Sequence, residues 1–196
     1  MLTYILEAVL GYFLGAVSFS IILTKFRYKK DVRQAGSGNA GATNVARVFG
    51  LKIGALTLLC DIVKMVIPML IGLHLDGRLG MAIAGIAGIF GHCFPIYFNF
   101  RGGKGVSIAA AIAIFIDWRV TLIALSVFII VAAVTKIVSI SSILAVTAIA
   151  VLTIVFKLDT PSIVLGIATA VIVIFMHREN IVRLIRGEEK KFKAKK

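Results

Sequence analysis

Three short polar stretches hold the side chains with which this chain can do chemistry. "AGSGNAGATNVAR" (35–47) sets Gly36, Gly38 and Gly41 among Ser37, Asn39, Thr43 and Asn44 and ends on Arg47. Glycine permits positive φ and close backbone approach, so successive N–H groups can line a concave anion site with hydroxyls, amides and a guanidinium around it. "FRGGKG" (100–105) flanks Lys104 with Gly102, Gly103 and Gly105 directly before an apolar run. That order puts an ammonium beside the free N–H groups of a helix start. "HRENIVRLIRGEE" (177–189) spaces His177, Asn180 and Arg183 by three, so one helical face offers a base, an amide and a guanidinium, with Glu188 one turn beyond. The chemistry implied is the binding of two phosphates with a proton acceptor between them.

Known short motifs fit these stretches poorly. "GSGNAG" matches the G-x-G-x-x-G of a dinucleotide turn, but that turn needs a buried strand before it and an acidic residue about 20 positions on. Here "KFRYKKDVRQA" precedes it, and another apolar run follows. "GGKG" is no P-loop, because Lys104 is followed by Gly105 where Ser or Thr is required. The fifth residues after His74, His92 and His177 are Leu79, Tyr97 and Val182, so no His-x-x-x-x-Asp pair is present. Cys60 and Cys93 lie in apolar runs without C-x-x-C or zinc spacing and read as small buried hydrophobes. Neither a metal nor an organic cofactor is expected.

The elements that must position these residues are membrane helices. Of the 196 residues 60% are hydrophobic and the mean hydropathy is +1.02, more apolar surface than a soluble domain can cover. The expected fold is an all-α polytopic bundle, one domain over 1–196, with seven spans at about 2–24, 51–73, 79–98, 105–117, 119–135, 138–156 and 161–176. Glu7 and the lack of a basic leader make the first run a retained helix and not a signal peptide. The fourth run, "VSIAAAIAIFI", rises only ~17 Å against a hydrocarbon core of ~30 Å, so its flanking loop is expected to dip inward. All Lys and Arg except Lys64, Arg78, Arg119 and Lys157, eighteen of the 22, fall on one side of this topology. That asymmetry predicts an outside N-terminus and a cytoplasmic C-terminus. The three polar stretches then share the cytoplasmic face.

Other features have plainer readings. Gly11 and Gly15, with Gly85, Gly88 and Gly91, suit close helix packing. Asp61 and Lys64 lie deep in the second span at i, i+3 and read as a mutual, structural pair. Ser139, Ser141 and Ser142 open the sixth span as caps, with Ser142 chosen as the one hydroxyl to reach the site. "EEKKFKAKK" reads as a charged tail on lipid headgroups or without structure, and nucleic-acid binding finds no module to support it.

In order and placement, "SGNAGATNVAR", "GGKGV" and "HRENIVRLIRGEE" resemble the three motifs of the bacterial membrane acyl-phosphate:glycerol-3-phosphate acyltransferases, the PlsY family. The resemblance spans essentially the whole chain. It implies a bacterial inner-membrane enzyme that moves a fatty acyl group from acyl-phosphate to the 1-hydroxyl of sn-glycerol 3-phosphate, yielding lysophosphatidic acid and phosphate. It implies no cofactor; its partners are the two substrates and membrane lipid, and the oligomeric state is left open. On matching positions it makes Ser37, Arg47, Lys104, His177 and Asn180 catalytic. Asn39, Thr43, Asn44, Arg183 and Glu188 become substrate or phosphate contacts, and Gly38, Gly41, Gly102, Gly103 and Ser142 join them on their own chemistry, without the resemblance. The alternatives are an anion transporter, which would show inverted repeats and a midplane site, and a lipid phosphatase. The proton acceptor stays open between His177 and a substrate phosphate oxygen.

Overall fold

In a membrane core an unpaired backbone group costs several kcal/mol, so a chain this apolar is confined to helices wherever it is not shielded by protein. The computed structural model describes residues 1–193, and among the described residues all regular structure is helical. The helices are α1 (Leu2–Gly15), α2 (Phe19–Tyr28), α3 (Ala42–Phe49), α4 (Leu51–Cys93), α5 (Val106–Ile116), α6 (Trp118–Thr135), α7 (Val138–Val155), α8 (Thr160–Met176) and α9 (Arg178–Ile185). Four stretches are long and apolar enough to cross a membrane: Leu2–Tyr28, Leu51–Phe98, Trp118–Thr135 and Val138–Val155. The pair α8 and α9, bent by 61°, adds a fifth if taken as one span.

The first span differs from the expected unbroken helix over 2–24. It breaks at Ala16–Ser18, where Ser18 takes extended backbone and its hydroxyl meets that of Ser20 at 2.9 Å. The carbonyl of Val17, freed from the helical ladder, accepts from Lys64 Nζ at 2.7 Å. Ser20 Oγ donates at 2.8 Å to Ala40 O, tying the glycine-rich loop to the break.

The two expected spans 51–73 and 79–98 are the arms of α4, which reverses at Asp76–Gly77. Gly77 has φ 61, a left-handed backbone that glycine adopts without a steric penalty. Lys64 of the outgoing arm bonds to His92 of the returning arm, and a Cβ on Gly72 would overlap the Gly80 carbonyl. The returning arm is also pressed onto α1. Side chains on Gly15 and Gly91 would collide with the backbone of Gly88 and Tyr12, so backbones meet here with no side chain between them.

α5 is as short as its sequence implies, yet most of its surface is covered by protein, with Ile114 left exposed. It packs against α4, α6, α7 and α8, with Ile108, Ala109, Ile112 and Ala113 in the main core beside Met65, Met69, Ile89, Leu165 and Val173. The segment before it lies over the end of α4 and starts α5 next to the other polar stretches. Residues 188–193 correct the reading of the tail as free or lipid-bound: Glu189 turns inward and Phe192 N–H donates to Lys136 O at 2.7 Å. The last three residues of that tail lie outside the described residues.

Gly15→Val is expected to lower the thermal midpoint in detergent, since overpacking against backbone costs about 1–3 kcal/mol or more. Ile5→Val, on an exposed face of the same helix, should leave it near the wild-type value; equal midpoints for both variants would contradict the close α1–α4 packing.

Candidate active site

The three polar stretches converge through Lys104. Its ammonium donates to Asn180 Oδ1, and the charges of Arg183, Glu189, Glu179 and Arg47 all act on it. One half-buried cation therefore links the loop before α5 to the α9 face, with Arg47 of α3 near enough to repel it. Burial first, and then the Arg183 guanidinium, pull Lys104 below the ordinary lysine range, with Glu189 and Glu179 opposing. An arriving phosphate would favour its charged form.

In the first stretch the sequence reading needs correction at Asn44. Instead of facing a ligand, it is buried and has both ends of its amide engaged. Nδ2 donates to the carbonyls of Val32, Ala35 and Asn39 at 3.1, 3.0 and 3.0 Å, and Oδ1 accepts from Ser37 N–H at 2.8 Å. Asn44 is the internal brace of the loop. Gly36 and Gly38 have the anticipated positive φ, 65 and 73, but Gly41 at −122 is ordinary extended backbone capping α3. Gly38 N–H is spent on Ala35 O, whereas the first turn of α3 offers the amides of Ala42 and Thr43 as donors. Ser37 is exposed; Asn39, Thr43 and Arg47 are half-buried.

The second stretch is also rearranged. Gly102 and Gly103 do not aim their N–H groups at a ligand; these donate to Cys93 O at 3.2 Å and His92 O at 3.1 Å, closing the C-terminus of α4. A side chain on Gly103 would run into the His92 imidazole. Their glycine identity serves close packing that sets Lys104, while Gly105, at φ 82, starts α5 with its first-turn N–H groups beside that lysine.

The third stretch presents the expected face and one residue that was missed. His177 sits at the α8–α9 bend, buried, with Nδ1 2.7 Å from Val173 O. A carbonyl only accepts, so Nδ1 carries the proton and Nε2 is left with its lone pair. Burial, outweighing the hydrogen bond to Val173, pushes its pKa down to about 4. Glu188, the carboxylate named from sequence, is exposed, and its backbone N–H merely closes α9 on Arg183 O. Glu189 is the one that enters, accepting from Ser139 Oγ at 2.8 Å, Asn180 Nδ2, and Arg183 Nε at 2.7 Å. Burial alone would raise its pKa, but Arg183, Asn180 and Ser139 together outweigh that and hold it below the usual glutamate range. Ser142 does not supply the site hydroxyl: it is wholly buried and donates back to Val138 O, leaving Ser139 in that place. Two adjacent glutamates and three clustered serines are alike by type, so no signal in the sequence separates them.

Beneath the site, Asp61 and Lys64 pair as expected, Oδ1 to Nζ at 3.0 Å. The pair extends further than read from sequence: Ser107 Oγ donates to Asp61 Oδ2 at 3.1 Å, and Lys64 Nζ lies 3.1 Å from His92 Nδ1. Among the described residues no three His, Cys, Asp or Glu side chains gather as a metal site would require.

Residues 5–187 match the family model described as glycerol-3-phosphate acyltransferase. The glycerol-3-phosphate acyltransferase of Thermoanaerobacter pseudethanolicus is 40% identical over 191 residues, 97% of this chain and 96% of that one. Glycerol-3-phosphate acyltransferase 2 of Bacillus anthracis is 38% identical over 187 residues, 95% and 98% of the two chains. The crystal structure of PlsY (YgiH), an integral membrane glycerol 3-phosphate acyltransferase, superposes in its glycerol 3-phosphate form with a TM-score of 0.92 at 32% identity, covering 97% of this chain and 96% of that chain. The lysphosphatidic acid form gives 0.89 at the same identity, over 97% and 95% of the two chains. This chain belongs to the glycerol-3-phosphate acyltransferase family.

Proposed function

We propose that this protein acylates the 1-hydroxyl of sn-glycerol 3-phosphate with an acyl-phosphate as donor, releasing lysophosphatidic acid and inorganic phosphate. The observation that carries the reading is the bond from Lys104 to Asn180 beside the start of α5, within the field of Arg183 and Arg47, in a member of this family. Two phosphorylated substrates need two anion pockets, and two helix N-termini flanked by cations supply them. The first pocket comprises Ser37, Gly38, Asn39, Gly41, Thr43 and Arg47; the second comprises Lys104, the start of α5, and Asn180 and Arg183. Asn44, Gly102 and Gly103 shape these pockets from behind.

The chain crosses a bacterial inner membrane seven times in this reading: Leu2–Tyr28, the two arms of α4, α5, α6, α7 and α8, with α9 bent away at the cytoplasmic end. The N-terminus is outside and the site faces the cytoplasm. The uneven distribution of Lys and Arg along the sequence supports this orientation.

In the reaction the acceptor hydroxyl oxygen attacks the acyl carbonyl carbon, the carbon–oxygen bond to phosphate breaks, and phosphate departs with the electron pair. Phosphate is a competent leaving group, so orientation and stabilisation of developing charge suffice and no enzyme ester is required. The hydroxyl proton passes to a substrate phosphate oxygen. Burial makes His177 a weaker base than a free imidazole, which favours the phosphate oxygen as acceptor. His177 contributes a fixed, neutral ring at the bend.

Detergent-purified protein given acyl-phosphate and glycerol 3-phosphate should form lysophosphatidic acid and phosphate in equal amounts. Phosphate alone would make it a hydrolase, and neither product would refute the activity. Lys104→Ala should lower kcat about 10²- to 10³-fold with the elution profile and thermal midpoint retained; turnover near wild type would remove Lys104 from the mechanism. The ascending limb of the kcat/KM pH profile should keep its midpoint in His177→Asn, whatever the amplitude. If that limb disappears in the variant, His177 is the base.

A further inference from the structure

We infer that Asp31 and Arg33, outside all three polar stretches, form a positioning pair that fixes the first anion-binding loop against the second; the inference rests on the acyltransferase reading above. The residues stand where the two loops touch. Asp31 caps a single 3-10 turn, Val32–Gln34, accepting from Arg33 N–H at 3.0 Å. Its carboxylate also takes the Arg33 guanidinium on two edges, Nε to Oδ1 at 3.0 Å and Nη2 to Oδ2 at 2.8 Å. That fork leaves Nη1 aimed across the interface, where it donates to Phe98 O at 2.9 Å and is 3.4 Å from Arg101 O. The two side chains are only 10% and 19% exposed, so neither is a loose surface ion.

Each end of the clamp is built into a binding loop. On one side, Val32 is fully buried with Ile21, Ala40 and Val45, and the carbonyls of Val32 and Ala35 receive Asn44 Nδ2, which in turn shapes the backbone at Ser37. On the other side, the accepted carbonyls bracket Asn99 and Phe100, two consecutive non-glycine residues with φ 56 each. Side-chain-bearing residues avoid that conformation and keep it only where their surroundings fix it. Gly102, Gly103 and Lys104 follow at once. Arginine is required because one planar group must serve a carboxylate bidentately and still present a donor to the far loop; a lysine ammonium has no such fork. Asp31 stays ionised in this role, since hydrogen bonding by Arg33 holds its pKa at about 2.

The test uses Arg33→Gln, Arg33→Lys, Asp31→Asn and the Asp31→Asn/Arg33→Gln double variant, assayed after the wild type. A wild type that forms no lysophosphatidic acid refutes the reaction itself; the rest concerns only the clamp. Arg33→Gln should lower kcat/KM for glycerol 3-phosphate about 10- to 100-fold, the scale of a small misplacement of reacting groups, with the thermal midpoint shifted by only a few degrees. Asp31→Asn should fall into the same range, the double variant should be no worse than Arg33→Gln, and Arg33→Lys should not rescue. Additive losses, full activity in Arg33→Lys, or losses that track the thermal midpoint across the set would overturn the clamp. Hydrogen exchange gives a second readout in Asp31→Asn, independent of turnover. Exchange over 98–104 should quicken while the Asp76–Gly77 turn is unaffected; unchanged exchange over 98–104 would equally refute the proposal.

Discussion

A helix that ends inside or at the edge of a membrane leaves carbonyls without partners, and the structure of the site follows from where those carbonyls are answered. Val17 O, at the break in the first span, is taken by Lys64. His92 O and Cys93 O, at the end of α4, are taken by the amides of Gly103 and Gly102. Val173 O, at the end of α8, is taken by His177. Each answer fixes a piece of the site: the second sets the backbone that carries Lys104, and the third sets the tautomer and orientation of His177. The first leads there indirectly, because Lys64 also engages His92, whose ring packs under Gly103. The termination of three helices and the assembly of one polar centre are thus the same set of hydrogen bonds.

This explains which parts were legible in the sequence. Composition and the distribution of Lys and Arg are bulk properties, so an all-helical membrane bundle with its polar stretches at one end could be read directly. The returning hairpin was visible as two runs either side of "DGR", because a charge and a glycine together end an apolar helix. The break at Ala16–Ser18 was not, since serines occur within membrane helices and nothing local shows that Ser20 will bond to Ala40 twenty residues on. Within the polar stretches residue type identified anion chemistry but not the division of labour. Asn44 and Ser37 look equally suited to a phosphate; only the fold shows that one amide meets three backbone carbonyls while the other side chain is exposed. Gly102 and Gly103 read as suited to ligand approach, and what they approach is the chain itself.

The electrostatic balance at the centre also depends on a residue that sequence type hides. Arg47, Lys104 and Arg183 together would repel one another in a partly buried place, and Lys104 already feels both guanidinia. Glu189 offsets this, pairing with Arg183 while holding Asn180 and Ser139. A carboxylate drawn from the basic tail therefore makes the cluster tolerable before any substrate arrives. Without it, the same three cations would have to be neutralised by solvent ions, which do not fix geometry.

That internal counter-ion bears on turnover as well as on folding. In the proposed reaction the acceptor and the lipid product carry the same phosphate, so a pocket that held this group as tightly as possible would hold the product too. Binding that is uniform along the reaction lowers KM without raising kcat. A guanidinium already engaged by Glu189 gives a phosphate less than a free one would, whereas the Lys104 ammonium, donating to the neutral Asn180 amide, keeps its charge for the negative charge that builds beside it. The division assigns steady orientation to the paired arginine and stabilisation of developing charge to the lysine. The second property favours the transition state over either bound phosphate.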